Sequence, residues 1–311
     1  MNLNVSISPH IHTKTDTVSI MRDVIIALMP ALAAAVFLFG ARSLLIAFTS
    51  VAAAVLCEYV FQKGCRRPVT VSDLSAVVTG LLLAYNLPPT IPLWQAALGS
   101  IVAVLVAKQL FGGLGRNFAN PAIVGRIVLF LSFSNTMTDW VIPGQVAVDA
   151  VTAATPLSIM EAGGTQSLSL SQLFFGQIGG CMGEVSALAI LIGFVYLLVR
   201  RVITWHTPVV MVGTVFLCSW MLEGSMLYAL YQVLSGGLLL GAVFMATDYA
   251  TTPSTRWGQI LFGLGAGLLT VLIRQWGNYI EGVSFAILFM NILTPYLSKW
   301  TRSKPLGGVR A

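Results

Sequence analysis

Long apolar runs alternate with short polar intervals along the whole chain, and a single polar interval, near the middle, is long. A helix crossing hydrocarbon needs about 20 apolar residues. On that measure ten segments are expected to be helical and membrane-embedded, running roughly 22–40, 43–61, 73–87, 93–111, 120–135, 183–199, 206–222, 226–246, 257–273 and 280–298. Several are short or interrupted by Gly and Pro. The pattern therefore predicts an all-α polytopic membrane protein of about ten transmembrane helices, some of them broken. It divides into a polar N-terminal segment (1–21), a first membrane repeat (22–135), a central loop (136–182), a second membrane repeat (183–298) and a tail (299–311).

Two local similarities suggest that the halves are copies. Asp73-Leu74-Ser75-Ala76 opens the third segment and Glu184-Val185-Ser186-Ala187 the sixth, while Asn120-Pro121 and Thr252-Pro253 each follow a glycine-containing stretch. Ordinary helix capping also produces acid-x-Ser-Ala. If the copies are real, five spans per copy make the second inverted in the membrane, the arrangement that builds a midplane site from discontinuous helices. Asp73 and Glu184 are then candidate members of an ion path as well as candidate caps.

Composition agrees with this class: 57% of the 311 residues are hydrophobic, 9% are charged, and mean hydropathy is +0.86. A soluble enzyme is excluded. The net charge of +6 does not indicate nucleic acid, because the basic residues stand at segment ends and not along one face. With the N-terminus inside, the inner loops collect Lys14, Arg22, Lys63, Arg66, Arg67, Arg116, Arg200, Arg201, Arg256, Lys299, Arg302, Lys304 and Arg310; the outer loops hold Arg42 and Arg274. By the positive-inside rule both termini are expected in the cytoplasm and the central loop outside. The stretch from Met1 to Asp16 runs into the first segment without a small-residue cleavage site, so that segment is expected to remain as an anchor. Cys57, Cys65, Cys181 and Cys218 have no CxxC spacing and pair with none of the three histidines, which argues against zinc, haem or an iron–sulfur cluster held by this chain alone.

Candidate chemistry lies in the central loop, within a span from Ile127 to Val199 that contains no Lys and no Arg. There Asp149-Ala150-Val151-Thr152-Ala153-Ala154-Thr155-Pro156 ends in a threonine followed by proline, the pattern of an N-cap with proline in the first helical position. The bland reading is a polar loop that starts a helix. The chemical reading is that an anion carried on the Thr155 hydroxyl would meet unpaired N–H groups and the positive end of a helix. A second candidate is Arg126. It follows Gly112-Gly113-Leu114-Gly115-Arg116-Asn117-Phe118-Ala119-Asn120-Pro121 and sits inside an apolar segment expected to be capped by Asn120, where a charge needs an anionic partner or a route to the inner surface.

The stretch Asp149 to Thr155 resembles the acceptor motif of flavin transferases, with Ala153 in place of the commoner Gly. In order along the chain, GGLGRNFANPA, DAVTAATPLS, GEVSALAILIG and FMATDYATTP resemble the RnfD family, the D-type membrane components of the Rnf complexes, which are ion-translocating ferredoxin:NAD oxidoreductases. That resemblance implies FMN joined through its phosphate to Thr155, with Asp149 and Thr152 recognised by the transferase; Arg126, by its own place in an apolar segment, is a candidate for contact with that flavin. It also implies partners: components of A, B, C, E and G type, and a flavin transferase for maturation. A second, noncovalent riboflavin or FMN between the broken helices is left open, as is the coupling ion, Na⁺ or H⁺. The chain has no Rossmann glycine fingerprint for NAD, so it would relay electrons only within a complex in the cytoplasmic membrane of a bacterium or archaeon. Two rival readings share the architecture: a component like NqrB of a sodium-translocating NADH:quinone oxidoreductase, and a non-redox transporter of urea-channel-like fold.

Overall fold

Each of the ten apolar segments contains a helix in the computed structural model, which describes residues 16–143, 154–164, 169–184, 186–277 and 282–302. No strand occurs among the described residues. The first half consists of α1 (Thr17–Phe39), α2 (Arg42–Gly64), α3 (Ser75–Tyr85), α4 (Leu93–Val102) continuing into a wider π-helical stretch (Ala103–Gln109), and α5 (Pro121–Ser132). Short helices α6 (Ser134–Met137), α7 (Pro156–Glu161) and α8 (Leu170–Phe175) occupy the central region. The second half contains α9 (Ala187–Val199), α10 (His206–Glu223), α11 (Met226–Leu234), α12 (Leu238–Leu240) with a π-helical extension (Gly241–Met245), α13 (Arg256–Trp276) and α14 (Val283–Trp300).

Among the described residues, four helices, α1, α2, α10 and α13, are long and apolar enough to cross a membrane alone. The pair α11 and α12, the latter with its π-helical extension, is bent by 65° at its break, the geometry of a broken span or a re-entrant loop. Phe37 and Met221 are 90% and 82% exposed, which suits a surface facing lipid. On α13, Trp257 and Trp276 are also exposed, and 19 residues at 1.5 Å each set them about 29 Å apart. That separation matches the two interfaces of a bilayer, where tryptophan concentrates.

Within each half the second helix is the hub. In the first half α2 packs on α3 and α4, and α4 on α5; in the second half α10 packs on α11 and α13, and α13 on α14. Gly263 and Gly267 let α13 approach α10 closely, since added β-carbons would lie 2.8 Å from Thr207 O and 2.9 Å from Met211 O. Between halves, equivalent helices meet: α1 packs on α9 and α5 on α14. They meet antiparallel. Asp23, early in α1, binds Arg200 at the end of α9 at 3.1 Å, and Ala27 abuts Gly193. Similarly, the backbone N–H of Asn120 at the start of α5 faces the Asn291 amide midway along α14, while Phe130 near the end of α5 meets Phe285 at the start of α14 edge to face. This is the geometry of an inverted repeat.

The local similarities chosen from the sequence do not mark equivalent positions. Asp73 precedes α3, the third helix of its half, whereas Glu184 precedes α9, the first of the other. Each motif is helix-start chemistry: Asp73 accepts the N–H of Ser75 at 2.8 Å, and Ser186 Oγ accepts the N–H of Ala189 at 3.4 Å. The assignment of Arg42 and Arg274 to outer loops also needs correction. Arg42 is the first residue of α2 and donates to Thr90 O, and Arg274 lies in the last turn of α13.

Candidate functional site

Thr155 occupies the position its sequence predicts. It is extended (φ −70°, ψ 157°) and caps α7, its Oγ1 accepting the N–H of Ser158 at 3.3 Å and lying 3.2 Å from Ser158 Oγ, with Pro156 at the first helical position. Apolar packing fixes this short helix: Leu157 and Met160 form a cluster with Leu173 of α8 and Tyr231 of α11. A phosphoryl group on Oγ1 would find the Ser158 N–H within the same turn, and the Ser158 hydroxyl, which donates to Thr155 O at 2.8 Å, could turn to it, so the residues present fit a phosphoester. The adjoining crevice, walled by Gly179, Gly180, Glu184 and Gly236 among others, has a volume of about 10 Å³ and holds nothing larger than a water.

That crevice abuts the break between α11 and α12. Gly236 and Gly237 both adopt left-handed φ, +68° and +66°, which non-glycine side chains resist, and a β-carbon at Gly236 would collide with Leu157. Arg274 satisfies the carbonyls freed by the break, donating to Gln232 O at 2.6 Å, Ser235 O at 2.9 Å and Gly236 O at 3.2 Å. A β-carbon at Gly237 would stand 3.0 Å from Glu184 Oε2 and 3.7 Å from Arg126 Nη1, so both charged groups converge on this glycine. Arg126 is buried, with Nη1 donating to Asn86 Oδ1 at 2.7 Å and Nη2 lying 3.7 Å from Cys181 Sγ. Asn120 caps its helix, Oδ1 accepting the Ala122 N–H at 3.0 Å.

Of the four candidate residues, Thr155 and Arg126 thus lie on connected walls, joined through Glu184 and the double glycine. Asp149 and Thr152 lie outside the described residues. Sequence reasoning missed the ion pair of Lys108 with Glu58, at 2.8 Å and nearly inaccessible; charges within two apolar segments were its available signal. It also missed the role of Arg274 and the environment of Asp248, in the loop after α12. Burial pushes the Asp248 carboxyl up, partly offset by bonds from the Ala250 N–H, the Thr251 hydroxyl and the Asn117 amide.

The profile of the NQR2, RnfD, RnfE family matches residues 4–307 of this chain. The chain is 46% identical to the D component of the Na(+)-translocating ferredoxin:NAD(+) oxidoreductase complex of Acetobacterium woodii, over 99% of this chain and 96% of that protein. It is 42% identical to the D component of the proton-translocating ferredoxin:NAD(+) oxidoreductase complex of Clostridium ljungdahlii, over 97% of this chain and 96% of the relative. With the D component of the ion-translocating oxidoreductase complex of Escherichia coli it shares 35% identity, over 99% of both chains.

Proposed function

The chain belongs to the NQR2, RnfD, RnfE family, and from that membership we infer that it is the D-type membrane component of an ion-translocating ferredoxin:NAD⁺ oxidoreductase, not catalytic alone, carrying FMN as a phosphoester on Thr155. The observation that supports the flavin is the Thr155 hydroxyl itself, held at a helix start beside a Ser158 N–H and hydroxyl and next to a helix break. When bound, FMN supplies one- and two-electron redox chemistry. The chain's own residues bind and orient: Thr155 tethers the phosphate, the α7 N-terminus and Ser158 stabilise its negative charge, and Arg126, on the far side of the break, offsets the Glu184 carboxylate that shares the Thr155 crevice. Asp149 and Thr152 serve recognition by a flavin transferase. A pore or channel has no use for such a tether, which favours this reading over the transporter.

Attachment is checked by mass spectrometry of the Thr155 peptide from protein co-expressed with a flavin transferase. The peptide is expected to gain the mass of FMN less water, and an unmodified peptide under those conditions would overturn the assignment.

In this reading the termini are cytoplasmic and Thr155 lies on the outer side. Ala162, exposed just beyond α7, is therefore expected, as Ala162→Cys, to react with an impermeant thiol reagent once the cell exterior is reached. The exposed native Cys65 at the end of α2 is expected to stay protected until lysis. Reversed labelling of these two positions overturns the orientation.

A further inference from the structure

The crevice at Thr155 is far too small for a tricyclic ring system, but the opposite flank of α7 borders a cleft of about 570 Å³. Leu157 belongs to both walls. The cleft opens between α7, α11 and the adjoining ends of α10 and α13, and its volume lies in the range of small-molecule sites. Its wall combines apolar Leu157 and Met160 with the rings of Tyr228 and Tyr231 and a polar row formed by Gln232, Arg274 and Gln275.

The polar row is ordered in one direction. Arg274 Nη1 donates to Gln232 Oε1 at 3.0 Å, which turns the Gln232 amide so that Nε2 donates to Tyr228 Oη at 3.1 Å. Gln275 Nε2 also donates to Tyr228 Oη, at 3.3 Å. A phenol oxygen that already accepts two N–H bonds still has its own proton to give. Among the described residues that proton meets no acceptor, and Tyr228 lines the cleft. The site thus offers the half-buried ring of Tyr228 as a wall for a flat ring, with Tyr231 packed behind it in the apolar cluster, and an O–H donor polarised by an arginine two bonds away. Glu161 and Glu223, exposed at the rim, repel a freely diffusing anion. A flat ring whose phosphate is held elsewhere escapes that repulsion.

We propose that this cleft seats the isoalloxazine ring of the flavin tethered at Thr155, with Tyr228 as its aromatic wall, backed by the packed ring of Tyr231, and the Tyr228 hydroxyl donating to an acceptor on the ring's pyrimidine edge. The proposal rests on the flavin reading above. The six residues of α7 span about 9 Å, a distance that a phosphate and an extended five-carbon ribityl chain can cover. The Arg274–Gln232–Tyr228 row favours the electron-rich reduced ring over the oxidised one, because its donor end carries the influence of a fixed positive charge.

The test uses the full chain, co-expressed with a flavin transferase and purified in detergent, as wild type and as Tyr228→Phe, Tyr228→Leu and Tyr231→Leu. Fluorescence of the denatured band reports attachment, and all four proteins are expected to be labelled. In native protein, flavin emission is expected to be quenched by the tyrosines and shielded from iodide in wild type, and to rise toward the unfolded value in the two leucine variants. Tyr228→Phe keeps the ring wall, so its emission is expected to stay quenched. Its midpoint potential is expected to fall, since losing one hydrogen bond to the reduced ring weakens that state by roughly tenfold, or about 30 mV on a two-electron couple. Labelled wild type whose native emission and iodide access equal those of unfolded protein overturns the seat while leaving the attachment standing. An unlabelled wild-type band overturns both.

Discussion

Lys108→Met is expected to destabilise the protein by about 3–5 kcal/mol, because it leaves the Glu58 carboxylate buried without its counter-charge. Lys108 projects from the π-helical stretch after α4. Its Nζ lies 2.8 Å from Glu58 Oε2 and 2.5 Å from Ser75 Oγ, while Glu58 Oε1 accepts from Gln62 at 3.1 Å and Gln109 at 2.9 Å. Both charged side chains are almost wholly enclosed. Removing both charges, as Lys108→Met with Glu58→Leu, is expected to recover most of the loss, since an apolar pair of similar volume needs no desolvation. The measurement is thermal unfolding of the solubilised protein for both single variants and the double. Equal effects in single and double variants would show that water reaches the pair.

Thr155→Ala is expected to abolish covalent flavin completely while lowering stability by only about 1 kcal/mol, the usual effect of losing an N-cap. The helix it caps is held by Leu157 and Met160 in their apolar cluster, so α7 should persist without its cap. Gel fluorescence and a thermal melt, read on the same preparation, separate the two effects. Thr155→Ser retains the hydroxyl and is expected to keep both the cap and some label. A fluorescent band from Thr155→Ala would move the attachment to another residue.

Helix existence was legible because lipid imposes a plain length-and-apolarity rule, and each of the ten runs contains a helix. Caps were legible where the chemistry is local, as at Asn120-Pro121 and Thr155-Pro156. Helix lengths were not: segments 73–87 and 183–199 contain helices of 11 and 13 residues, because a short polar turn, such as the half-exposed one holding Asp73, opens the run before the helix begins. The run 226–246 reads as one span, yet Gly236 and Gly237 turn it through 65°. The relation between halves was legible as an odd span count and illegible as sequence, since it shows itself in contacts such as Asp23 with Arg200 and Asn120 with Asn291. For the same reason the pairing of Glu58 with Lys108, 50 residues apart, has no signature beyond two charges in apolar surroundings.

The antiparallel contact of α1 with α9 has a consequence for biogenesis. Asp23 is largely buried and its arginine partner lies 177 residues downstream. At about 5–20 residues per second of translation, roughly 10–35 s pass between synthesis of the two. Through that interval the nascent first half carries an unmatched carboxylate near the membrane surface from which α1 enters. Lys108 meets Glu58 within the first half and is neutralised early, so the two ion pairs divide insertion into stages. A chain that ends before residue 200 lacks this partner for Asp23.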